Sequence, residues 1–110
     1  MSLVVDAIDH LVVNVRDVEV AAGWYHRVLG MTREDFEPGP GRPRRTSMTF
    51  GQQKINLRPV SASKQEWFTA DHEAAGSDDL CFLTGASPQA VTEHLRACGV
   101  AIIEGPTDKR

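Results

Sequence analysis

The stretch Ile8–Gly30, IDHLVVNVRDVEVAAGWYHRVLG, changes its apolar period in the middle, and that change decides the fold. Ile8–Val15 is short, valine-rich and alternating, which predicts a strand. Leu11, Val13 and Val15 share one face of it; His10, Val12 and Asn14 share the other. Asp17 follows as an N-cap. Val18, Ala21, Ala22, Tyr25, Val28 and Leu29 then recur at helical spacing, and Gly30 stands where a helix end takes left-handed backbone.

The pattern returns 69 residues later. With His10 set on Asp79, Leu11 falls on Leu80, Ala21 on Ala90, Arg27 on Arg96 and Gly30 on Gly99. Asp79–Thr84 therefore predicts a second strand. Ser87-Pro88 predicts a second helix start, and Val91, His94, Leu95 and Cys98 keep its period. Val100–Ile103 begins a further strand. Coincidence of strand, helix start, apolar face and terminal glycine at one offset points to tandem duplication. In a duplicated fold His10 and Asp79 occupy equivalent strand positions, from which two ligands could face one cleft.

Between the repeats, Glu37–Arg45 is a connection broken by three prolines and two glycines, with a basic run Arg42, Arg44 and Arg45 that reads as solvated. Thr46–Phe50 and Lys54–Arg58 predict a hairpin around Gly51-Gln52-Gln53. In its second strand Ile55 and Leu57 share one face and Lys54, Asn56 and Arg58 the other. Pro59–Asp78 reads as linker, interrupted by Trp67 and Phe68.

Composition narrows the classes. The chain has 110 residues, is 41% hydrophobic and carries a net charge of −3, which suits one domain with a single core. A slightly acidic chain without a dense basic face is a poor nucleic-acid binder. Apolar runs such as Leu80–Leu83 are far too short to span a membrane. The opening Ser2-Leu3-Val4-Val5-Asp6 has no signal-peptide pattern, so a cytoplasmic location is expected. Cys81 and Cys98 form no C-x-x-C pair and are expected as reduced thiols. No phosphate-loop, dinucleotide-binding, H-E-x-x-H or G-x-S-x-G motif is present.

Three stretches, Ile8–Met31, Phe50–Pro59 (FGQQKINLRP) and Gly76–Pro106, together resemble the vicinal oxygen chelate superfamily. That superfamily includes glyoxalase I, extradiol dioxygenases and bleomycin-resistance proteins, and the segments are similar to a subgroup of small glyoxalase-domain proteins. The resemblance implies an α+β fold of tandem βαβββ modules, an open curved mixed sheet around a cleft that holds a divalent metal (Mn, Fe, Ni, Zn or Mg). It implies a first module over 6–58, a linker over 59–78 and a partial second module over 79–110, within one glyoxalase-type domain. By the repeat, that second module would extend to about residue 127.

His10 matches the family's first-strand ligand, Asp79 falls where many members carry the second module's histidine, and Asn56 falls where glyoxalase I carries a glutamate. The resemblance thus assigns His10 and Asp79 to the metal, and the face of Asn14, Lys54, Asn56 and Arg58 to a small-molecule substrate. Two departures bear on the chemistry. An amide at Asn56 cannot serve as a general base, which disfavours glyoxalase I activity. One histidine with carboxylates differs from the two-histidine, one-carboxylate iron triad, which disfavours ring cleavage.

The plainer readings stay beside these. A lone histidine in an apolar strand is ordinarily a hydrogen-bonded strand residue, Asp79 can be a solvated strand start, and Lys54, Asn56 and Arg58 can be a polar outer face. The expectation is a metal-dependent enzyme, of lyase, isomerase or dioxygenase type, acting on a molecule with adjacent oxygens. The alternative is a metal-free drug- or metabolite-binding protein. Either is expected as a homodimer.

Overall fold

The computed structural model describes residues 2–108 and divides into two units, Met1–Asp78 and Asp79–Arg110. The first unit is built on β1 (Leu11–Val15), α1 (Val18–Leu29), β2 (Thr32–Phe36), β3 (Arg45–Phe50) and β4 (Gln53–Pro59). These strands form one mixed sheet in the order β1-β4-β3-β2, with β1 parallel to β4 and the other pairs antiparallel. The connectivity is βαβββ, as the resemblance implies.

Local chemistry fixes each boundary of α1. Asp17 is extended (φ −139°), and its carboxylate accepts the Val20 N–H at 3.1 Å, satisfying one orphan donor of the first turn. Gly30 closes the helix at φ 67°, a conformation that a Cβ would penalise. The hairpin is tighter than the sequence suggests. Phe50 pairs with Gln53, so the loop is Gly51-Gln52 alone, and Gly51 takes the positive φ that a two-residue turn needs.

The core lies between α1 and one face of the sheet. Ala22 and Val28 of the helix, with Met31 just beyond it, are buried, as are Val13, Met48, Ile55 and Leu57 of the strands. Val13, Ala22, Val28, Ile55 and Leu57 come from the predicted apolar faces, whereas Leu11 and Leu29 of those faces are exposed and Met31 and Met48 join the core from outside them. β1 begins at Leu11, so His10 stands one residue before the strand rather than within it.

The second unit contains α2 (Pro88–Ala97). Ser87 caps it by accepting the Ala90 N–H at 3.1 Å, with proline in the first turn as expected. The strands expected at Asp79–Thr84 and Val100–Ile103 do not form. Their counterparts in the first unit pair with β4 and β3, and the described residues of the second unit contain no such hairpin. An apolar segment without a ladder partner does not become a strand, and Leu83 and Ile103 are fully exposed.

Candidate functional site

The register of the sheet collects the candidate residues on the face opposite the core. Val12 lies opposite Asn56 and Asn14 opposite Arg58; across β3, Ser47 lies opposite Asn56 and Thr49 opposite Lys54. Strand alternation then gives this face a polar band of Asn14, Lys54, Asn56, Ser47 and Thr49. All five are half-buried. Lys54, Asn56 and Asn14 therefore share a face, as the alternation predicts.

Asn56 accepts the Ser47 hydroxyl proton on Oδ1 at 2.7 Å. With that oxygen engaged, the amide offers N–H donors to whatever occupies the face. Ser47 was not among the expected site residues, although the alternation of Arg45–Phe50 places it on this face.

Arg58 departs from its expected role in ligand contact. It is fully buried, and its fork is turned into its own chain. Nη1 donates to Asn14 Oδ1 at 2.8 Å, Nε to the Trp67 carbonyl at 3.0 Å and Nη2 to the Ala62 carbonyl at 2.7 Å. Three charge-assisted bonds offset the cost of removing the guanidinium from water. Arg58 thus ties β1, β4 and the segment after β4 together, and Asn14 is held as its partner.

His10 is partly exposed, and its Nδ1 bonds the Asp9 carboxylate at 2.7 Å. A carboxylate only accepts, so Nδ1 is the donor in this bond and Nε2 takes no part in it. The Asp9 carboxyl is held below its ordinary value, chiefly by this hydrogen bond and the histidine's charge, with a smaller contribution from Lys54. Asp79 opens the second unit, exposed and in irregular backbone.

The donor set was expected to hold a divalent metal. Among the described residues, no three His, Cys, Asp or Glu side chains are grouped to hold a metal ion. The Asp9–His10 pair presents a single imidazole, and one imidazole does not make a three-ligand centre. Among the described residues, no helix is long and apolar enough to cross a membrane.

Comparison with known proteins agrees with this architecture. The chain is 32% identical over 109 residues to Virulence protein STM3117 of Salmonella typhimurium, covering 99% of this chain and 71% of that one. It is 35% identical over 107 residues to Glyoxalase domain-containing protein RDO1 of Mycosarcoma maydis, covering 97% of this chain and 56% of that one. Among solved structures, an integron cassette protein from the mobile metagenome of V. cholerae superimposes with a TM-score of 0.87 at 33% identity. That match covers 99% of this chain and 80% of the other. The family model described as Glyoxalase/Bleomycin resistance protein/Dioxygenase superfamily matches residues 7–110, and the chain belongs to that superfamily.

Proposed function

We propose that the chain binds a small molecule with adjacent oxygens on the polar face of its first sheet. The observation that carries this reading is the shared face itself, where the Lys54 ammonium stands beside an Asn56 amide whose oxygen is already taken by Ser47. Such a face offers positive charge and N–H donors and suits negatively polarised oxygens. Amide-resolved NMR titration with oxalate and with catechol tests it. Shifts centred on Ser47, Lys54 and Asn56, weakened about tenfold by Lys54→Met, are expected for loss of one charged contact. Shifts confined elsewhere would overturn it.

A divalent-metal-dependent enzyme is the second reading, favoured by the Asp9–His10 bond. A carboxylate on Nδ1 is the usual way to orient a histidine whose Nε2 binds a metal. This reading needs ligands besides His10. Metal analysis of protein purified without chelator tests it: less than about a tenth of an equivalent, with no uptake of added Mn²⁺ or Ni²⁺, would exclude it. A second copy of the chain is the proposed partner, because β1 and β2 are the sheet's edge strands and edges favour pairing.

A further inference from the structure

A second binding region lies in the first unit, away from Lys54 and Asn56. The proline-rich loop before β3 and the segment after β4 enclose an open groove of about 750 Å³, within the range of small-molecule sites, about 300–1,000 Å³. Its lining includes Arg42, Arg44, Arg45, Gln65, Glu66 and Trp67. The Arg45 guanidinium lies over the Trp67 ring, 4.1 Å from its centroid, and Nη2 donates to the Glu66 carbonyl at 3.3 Å. Arg45 is therefore fixed rather than freely solvated.

Arg42 and Arg44 are different. Among the described residues neither side chain makes a hydrogen bond or ion pair. The carboxylate that feels Arg44, Asp35, is already bonded to Arg33 and Thr46. Pro38 and Pro43 also line the groove, and they limit the freedom of the loop that presents these arginines. Three guanidinium groups against the single Glu66 carboxylate leave two positive charges on the lining.

We propose that this groove binds a small phosphate monoester. Arginine forks match the paired oxygens of phosphate, and a monoester near neutral pH carries close to the two charges that the lining leaves uncompensated. A carboxylate would neutralise only one of them. Trp67, Pro59 and Ala62 supply apolar surface for the organic part. This assignment does not depend on the ligand of the polar face. Arg58, by holding the Trp67 carbonyl, fixes one wall of the groove without entering it.

Calorimetric titration of the full chain with phenyl phosphate, inorganic phosphate and benzoate tests the assignment. Phenyl phosphate should bind saturably and more tightly than the other two. The double variant Arg42→Ala/Arg44→Ala, at exposed loop positions, should weaken it at least about tenfold, the loss of one or more charge-assisted bonds. Arg16→Ala/Arg96→Ala removes the same charge elsewhere and should leave binding unchanged. Equal losses in both double variants, no loss in the first, or benzoate binding as tightly as phenyl phosphate would overturn it. Vesicles containing phosphatidic acid give a further arm: co-sedimentation without binding of soluble phenyl phosphate would replace the small-molecule assignment with a lipid headgroup.

Discussion

Arg58 Nη1 donates to Asn14 Oδ1 across the parallel pair of β4 and β1, at 2.8 Å, between residues that lie directly opposite in register. The pairing joins the two strands that frame the polar face, and the other donors of the same guanidinium fasten the chain that follows β4. Replacing Arg58 with methionine keeps much of the volume but leaves Asn14 Oδ1 and the Trp67 and Ala62 carbonyls without this partner. Asn14, Ala62 and Trp67 are half-buried, so each orphaned acceptor falls near the low end of the usual range, about 1 kcal/mol, and a total loss of about 3 kcal/mol is expected. Urea unfolding measures it, and a loss below about 1 kcal/mol would mean that water replaces the guanidinium.

Leu57, on the opposite face of the same strand, is fully buried between the sheet and α1. Leu57→Ala should cost about 2–5 kcal/mol, the transfer and cavity terms together. Lys54→Ala, on the half-exposed polar face, should cost under about 0.5 kcal/mol. Comparable losses for the two would contradict the division of β4 into a core face and a ligand face.

The sequence exposed most of this division and missed specific parts of it for physical reasons. β1, α1 and the hairpin were legible because apolar period and capping residues coincide, from Asp17 to Gly30 and around Gly51. β2 was not, because Thr32–Phe36 is an exposed polar edge strand whose only signal is its pairing with β3. The apolar run at Asp79–Thr84 and its match to β1 in the repeat misled for the converse reason: they record what a strand would bury and not whether a partner exists. Lys54 and Asn56 were placed together correctly by alternation. Arg58 obeyed the same alternation but is buried, because Ala62 and Trp67 return to cover it. The stacking of Arg45 on Trp67 joins residues 22 apart, beyond any local pattern.

The two units should differ in local stability. None of the residues in α2 is buried, whereas Ile55, Leu57 and Arg58 of β4 are closed to solvent. A ten-residue helix gains little from propensity alone and relies on a packed face. Amide hydrogen exchange should therefore release the α2 protons well before those of β4, by on the order of a hundredfold. Similar protection in both would show that α2 gains burial in solution, as association of two copies could supply.

Tyr25 gives a prediction readable from a single group, since the chain has one tyrosine. It lies half-buried on α1, its ring edge-on to Trp24 at 5.3 Å between centroids. Burial pushes its phenol above the ordinary value of 10.0, with a smaller push from the Asp78 carboxylate. Because the folded value is raised, unfolded chains ionise first as pH rises. The stabilisation is complete below the ordinary value and is lost as pH climbs through the folded one. Ultraviolet absorbance of tyrosinate should show ionisation later in the native protein than in urea. Asp78→Asn should move the native midpoint down only slightly, because desolvation rather than the aspartate is the main cause. A native midpoint equal to that in urea would place the phenol in water and remove Tyr25 from the buried side of α1.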